Sequence, residues 1–265
     1  AMTAPGDRVE GFLAALPPRA DGGGRPADLR ALAVPPGLRV AVAAPHPDDF
    51  DAVGVTFRLL HEAGASLSVG VLSGGASGVE DAFIAPPTRE AKVAAREAEQ
   101  RESCRLFGLA PEALRFLRLD EDALGEPADT PSNERRLGAW IDDVAAQVVV
   151  LPHENDAKPG HRQAAAMVLR LAAAREGRLQ VWMNHDPKTL AMRHDFHVAF
   201  GAGEAAWKAA LLRCHASQHQ RNLRTRGRGF DDRILDVNRA VARELGLAAE
   251  FAEAFEVRRF GPAAG

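Results

Sequence analysis

The chain has 265 residues, 46% of them hydrophobic and 26% charged, enough for one large α/β domain or two small ones. Its formal net charge of −3 gives no electrostatic basis for binding nucleic acid or an anionic membrane. No window holds the roughly 18 unbroken apolar residues of a membrane helix. The first residues lack a basic region followed by an apolar one, so no secretory signal is expected. Cys104 and Cys214 form no CxxC pair and are expected as two reduced, buried thiols of a cytoplasmic protein.

Residues 17–37 are rich in Pro and Gly, including Gly22-Gly23-Gly24-Arg25-Pro26. Residues 1–37 are therefore expected to form an irregular N-terminal arm, ahead of a single domain over 38–265. The apolar run 38–44 predicts a buried strand. A helix follows over 53–63, with Val53, Phe57, Leu59 and Leu60 near helical spacing. Residues 67–72 read as a second strand and Ser73 to Gly78 as a loop. Thr88 is placed to cap a long helix running to about residue 107, with Glu97 and Arg101 as an i,i+4 pair and Gly108 as its stop. A short strand over 114–119 ends at Asp120. Then come a helix over 134–146, a strand over 148–151, a helix over 162–175 and a strand over 179–183. The last third reads as helical, over 204–217 and 232–245. The second of these helices sets Ile234, Val237, Val241 and Leu245 on one face. The alternation predicts a Rossmann-like three-layer α/β/α sandwich with a mostly parallel sheet and a more helical C-terminal part.

Two strand ends carry the chemistry. The run 40–45 leads into His46-Pro47-Asp48-Asp49, one imidazole and two carboxylates at the rim where open α/β sheets keep their active sites. Pro47 keeps this stretch extended, so neighbouring side chains alternate in direction. One aspartate can then bind a cation while the other is free to move a proton. The plainer alternative is that these are turn and N-cap residues of the next helix. The strand over 148–151 leads into His153-Glu154-Asn155-Asp156-Ala157-Lys158-Pro159-Gly160-His161, with a helix expected just after His161. Two histidines and a carboxylate leave an open coordination position, the pattern of catalytic zinc.

His46-Pro47-Asp48-Asp49, with Gly54 five residues on, resembles the signature of the LmbE/PIG-L family of zinc-dependent N-deacetylases, which includes N-acetylglucosaminyl-inositol and chitobiose deacetylases. The family's second motif, roughly P-x-x-x-D-x-H-P-D-H, is matched at Pro152, Asp156, Pro159 and His161. The resemblance runs over about 38–255. It implies His46, Asp49 and His161 as zinc ligands, with another first-row divalent ion as an alternative, and Asp48 as general base. Arg96 falls, with Glu97, where the family has a sugar-contacting Arg. Lys208 with His215-Ala216-Ser217-Gln218 resembles a late K…H-x-S-Q motif.

The departures are specific. Phe50 stands where the family has Glu, with Asp51 next, and Val55 replaces a second Gly. Lys158 stands in place of the oxyanion-stabilising His, and Gly160 in place of an Asp. Lys158 could still supply positive charge to an oxyanion, or Asn155, His153 or His215 a hydrogen bond. Phe50, Val55 and Lys158 are expected to reshape the pocket beside the metal. Asp120, Asn155 and His215 join Arg96 as candidate substrate contacts.

Other features are weaker. Ser73-Gly74-Gly75 lacks a P-loop Lys, and most of His185, His194, His197 and His219, in a loop-rich stretch, read as surface residues. The cluster Arg221, Arg224, Arg226 and Arg228 reads as a solvated connection, with recognition of an anionic substrate group or a partner subunit as the alternative. The expected function is removal of an N-acyl group, such as acetyl, from a small N-acylated molecule, an amino sugar or its conjugate. A tailoring amidohydrolase on a non-sugar metabolite and a non-catalytic metal-containing carbohydrate-binding protein are the rivals. Neither nucleic acid nor a membrane is an expected partner, and self-association stays open.

Overall fold

The computed structural model describes residues 5–16 and 25–261. Eight strands form one sheet: β1 (Ala27–Asp28), β2 (Arg39–Ala44), β3 (Ser66–Val71), β4 (Leu114–Phe116), β5 (Val148–Pro152), β6 (Gln180–Asn184), β7 (Phe196–Phe200) and β8 (Phe251–Arg258). Their order is β1-β7-β8-β6-β5-β2-β3-β4. All neighbouring pairs are parallel except those of β8 with β6 and with β7. The helices are α1 (Pro5–Ala14), α2 (Gly54–Glu62), α3 (Arg89–Phe107), α4 (Pro131–Asp143), α5 (Pro159–Ala173), α6 (Ala202–Arg213), α7 (Ala216–Arg226) and α8 (Phe230–Glu244).

Strand alternation divides the core between the two faces of the sheet. Val40, Val42 and Ala44 of β2 join Val53, Phe57 and Leu60 in one cluster. Ala41 and Ala43 join Leu137 and Trp140 of α4 and Met167 and Val168 of α5 in the other. On β3, Gly70 makes room for an indole, since a Cβ there would lie 2.7 Å from Trp140. This is the three-layer α/β sandwich that the alternation of elements implies.

Several boundaries differ from the sequence reading for definable reasons. The helix expected from 162 begins at Pro159, because proline fits the first helical position, and this puts His161 inside the first turn. The helix expected over 204–217 breaks at His215 (φ −83°, ψ 65°) into α6 and α7. The last third also supplies β7 and β8. Buried carboxylates at Glu253 and Glu256 hide the strand character of β8 from an apolar pattern. Within 1–37, residues 17–24 lie outside the described residues. Around them, Val9, Phe12 and Leu16 are buried in the core, and β1 pairs with β7. Cys104 is buried, Cys214 is half-buried, and both are free thiols.

Candidate active site

β2 lies between β3 and β5, and the chain leaves β2 for β3 on one side while β5 and β6 extend the sheet on the other. The strand order reverses here, and the carboxyl ends of β2 and β5 frame the crevice that such a reversal opens. His46, Asp48 and Asp49 follow β2; Lys158 and His161 follow β5.

Asp49 joins the two histidines. Its Oδ2 accepts the backbone N–H of His46 at 2.8 Å and lies 3.2 Å from His46 Nδ1. Its Oδ1 lies 3.4 Å from His161 Nε2. One ligand atom from each of the three residues falls within 4.8 Å of the others. This borderline N/O donor set suits a first-row divalent cation. A second grouping, Asp156, His161 and Asp186, shares His161 through its other face.

Each histidine also has a carboxylate behind it. Glu126, in the loop between β4 and α4, lies 2.6 Å from His46 Nε2 and 3.1 Å from Lys158 Nζ. Asp156 lies 3.2 Å from His161 Nδ1, with Asp186 3.9 Å away. Carboxylate-backed imidazoles are the usual support of metal-ligating histidines, fixing tautomer and ring orientation. The local charge follows. Burial pushes the Glu126 carboxyl up, but the bond and charge of His46, with Lys158, bring it down to about 2. Burial pushes His161 down, yet Asp49 and Asp156 raise it to about 10. Asp49 is held well below the carboxylate range by both imidazoles against its own burial.

Asp48 stands beside these three residues in an unusual backbone state, with φ at 115°. A non-glycine residue there is strained, and strain of this kind persists only where surroundings over-determine it. Its N–H donates to Gln100 Oε1 at 3.0 Å, and Arg96 Nη2 lies 3.2 Å from its carboxylate. Arg96 also donates to the carbonyl of Pro47 and is only 2% exposed. Behind it, Glu99 lies 3.4 Å from Arg96 Nη1 and accepts both the N–H and the hydroxyl of Ser217, at 2.7 and 2.8 Å. A chain of contacts therefore runs from α7 to the candidate base.

The late K…H-x-S-Q residues are the roots of this layer. His215 Nε2 meets Asp51 at 2.5 Å, and Ser103 donates to the same carboxylate. Lys208 is fully buried 2.7 Å from Glu253, which in turn accepts the N–H groups of Val55 and Thr56 at the start of α2. A carboxylate at a helix N-terminus satisfies donors that would otherwise be orphaned.

A cavity of about 290 Å³ opens onto His46, Asp49 and His161, small enough for one small molecule. His46, Asp48, Asp49, Arg96, Lys158 and His161 line it, as the sequence suggests. Asp120, Asn155 and His215 do not. Asp120 points outward, its side chain 70% exposed and 3.7 Å from Arg136. Asn155 is exposed and donates to Ala191 O. His215 is spent on Asp51 inside the protein. Phe50 and Val55 do not reshape the pocket either: Phe50 stacks on Phe57 with centroids 5.1 Å apart, and both residues sit in the core. Residues missed in the sequence are Glu126, Asp186, Lys188 and Arg233. Asp186 follows a strand end like the other two clusters and was open to the same rule. Glu126 lies in a loop with no pattern to mark it.

Comparison with known proteins follows this geometry. The family model described as PIG-L, GlcNAc-PI de-N-acetylase, matches residues 41–172. No curated protein matches the chain by sequence. Among solved structures it is similar to an N,N'-diacetylchitobiose deacetylase from Pyrococcus horikoshii, with a TM-score of 0.68 and 15% identity over 85% of this chain and 87% of that one. It is similar to a deacetylase of the teicoplanin biosynthesis pathway, with a TM-score of 0.67 and 15% identity over 86% of this chain and 100% of that one. A 4-carboxy-2-hydroxymuconate hydratase from Pseudomonas putida also shares the fold, with a TM-score of 0.63 and 17% identity over 86% and 100% of the two chains.

Proposed function

We propose, for a chain whose residues 41–172 belong to the PIG-L family, that it is a metal-dependent deacetylase of a small N-acetylated molecule, an amino sugar or its conjugate. His46, Asp49 and His161 would hold the ion, zinc by preference among first-row divalent cations. Such an ion supplies Lewis acidity toward an amide carbonyl and lowers the pKa of water toward ~7. Asp48 takes the proton of the attacking water and returns it to the leaving amine. Arg96 and Gln100 hold Asp48 in place for both transfers. Lys158, tied to Glu126, brings positive charge to the cavity where the amide oxygen gains negative charge. The two free thiols are compatible with a reducing, cytoplasmic setting.

The observation that carries this reading is the convergence of three ligands and one further carboxylate at the floor of a single small cavity. The fold of the chitobiose and teicoplanin deacetylases supports it. The test is acetate release from N-acetylated sugars by zinc-loaded wild type and Asp48→Asn. Wild type is expected to turn over, and the variant to keep its metal while losing at least about a hundredfold in rate. Full activity in the variant removes Asp48 as base. The hydratase that shares the fold motivates a second reading, addition of water to an unsaturated carboxylate. Hydration without acetate release from any amide would favour it.

A further inference from the structure

The charges around the cavity do not balance. Arg96, Lys158, Lys188, Arg221, Arg226 and Arg233 line it, against Asp48, Asp49 and Asp186. Three of the cations have partners: Arg96 with Asp48, Lys158 with Glu126, and Arg221 with the carbonyl of Gly78 at 3.3 Å. Among the described residues, the side chains of Lys188, Arg226 and Arg233 make no ion pair or hydrogen bond, although they belong to a lined, partly enclosed space. Their neighbours differ. Arg224 pairs with Glu80, and Arg228 lies 2.5 Å from Asp236, and neither lines the cavity. Sequence alone does not separate the two kinds of arginine in this cluster. Their surroundings do so: Arg221 and Arg226 border the cavity although both are exposed, whereas Arg224 and Arg228 are drawn to Glu80 and Asp236.

Three separate segments bring these cations together: the loop after β6, the last turn of α7 and the first turn of α8. The arrangement works against the folded state. Burial depresses the Lys188 ammonium, Lys158 adds to this, and Asp186 only partly opposes it. Burial and then Arg226 depress Arg233, with Asp186, Asp48 and Asp156 opposing in part. Two half-buried cations and an exposed one, offset only in part by nearby carboxylates, suit a ligand that supplies the opposite charge.

Resting on the reading of this site as a deacetylase, we infer that the substrate carries an anionic group besides its acyl amide, a phosphate or a carboxylate, clasped by Lys188, Arg226 and Arg233. The planar guanidinium groups match either anion in a two-bond geometry, and the ammonium adds a point charge. A neutral sugar leaves the three cations facing each other and binds less well.

The test uses zinc-loaded Asp48→Asn protein, so that ligands persist, and calorimetric titration with three probes. These are N-acetylglucosamine, its 6-phosphate, and N-acetylmuramic acid, which differ in carrying no charge, a phosphate or a carboxylate. At least one anionic probe is expected to bind about tenfold or more tightly than the neutral one, with the advantage shrinking between about 0.05 and 0.2 M salt. The tighter of the two identifies the anion. Adding Arg226→Gln with Arg233→Gln, or Lys188→Gln, is expected to reduce the preference to about threefold or less while leaving the neutral probe unchanged. The midpoint of thermal unfolding should not fall in these variants, because a repulsion is removed. Equal binding of all three probes, binding of neither anion, or a preference that survives the double substitution overturns the inference. Failure of the deacetylase reading is separately visible: zinc-loaded wild type would then release acetate from none of the probes, whatever their affinities.

Discussion

Gly160→Ala is a one-methyl change with an outcome opposite to helix propensity. Position 160 lies in the first turn of α5, where alanine should favour the helix by about 1 kcal/mol. However, a Cβ there would lie 2.0 Å from Glu126 Oε2 and 3.1 Å from His46 Cε1. Carbon and oxygen settle no closer than about 3.3 Å, so the carboxylate must retreat by more than ~1 Å. Its 2.6 Å contact with His46 cannot survive that. Loss of the group that orients a metal-ligating histidine lowers metal affinity roughly 10- to 100-fold, which is ~1.4–2.7 kcal/mol. Competition with a chromophoric chelator, using stripped protein, measures it. Gly160→Ala and Glu126→Ala should each weaken zinc binding by that amount, and the double variant no more than Glu126→Ala alone. In the Glu126→Ala background the added methyl should leave affinity unchanged and raise the unfolding midpoint. Wild-type affinity in Gly160→Ala, or additive losses in the double variant, would refute this use of Glu126.

Other expectations rest on separate parts of the structure. Lys208→Met leaves Glu253 buried without its cation and should destabilise the fold by ~3–5 kcal/mol in denaturant unfolding. Glu256 is pushed up by burial, but His153, the Arg193 N–H and Arg258 outweigh that and bring it to about 2. A depressed carboxyl stabilises the fold above its unfolded value and loses that contribution as pH falls through the folded one. Wild type should therefore exceed Glu256→Gln by up to ~3 kcal/mol at pH 6, with the gap closing between about pH 4.5 and 2; a gap independent of pH would contradict the assignment. Ser217→Ala removes one of two bonds that hold Glu99 behind Arg96. It should lower kcat severalfold with metal content unchanged, and an equal loss of metal would assign it another role.

The grouping of His46, Asp49 and His161 was legible in the sequence because strand ends in a parallel sheet share one rim. An apolar run followed by His and Asp, found twice, therefore suffices to place His46, Asp49 and His161 together. The extended stretch expected around Asp48 is instead a turn, with Asp48 at positive φ and the Asp51 N–H bonded to its carbonyl at 3.0 Å, so its place beside the three residues rests on that turn and not on alternation. The substrate contacts were less legible. Asp120, Asn155 and His215 are polar residues near strand or helix ends, and their direction depends on which neighbour satisfies them. Asp51 claims His215, and the carbonyl of Ala191 claims Asn155. Glu126 reaches the site only because Gly160 leaves space for it, a relation between distant residues that no local pattern encodes. β8 was hidden for a related reason: Lys208 and His153 pair with its carboxylates Glu253 and Glu256 inside the fold, so a buried strand carries charged residues.

The most direct measurement is equilibrium titration of chelator-stripped protein with zinc. One ion per chain is the expected stoichiometry, with tight binding abolished by His161→Ala and by Asp49→Ala while the fold is retained by circular dichroism. Wild-type protein that takes up no ion, or variants at residues 46, 49 and 161 that bind it as the wild type does, would contradict a metal centre in this crevice.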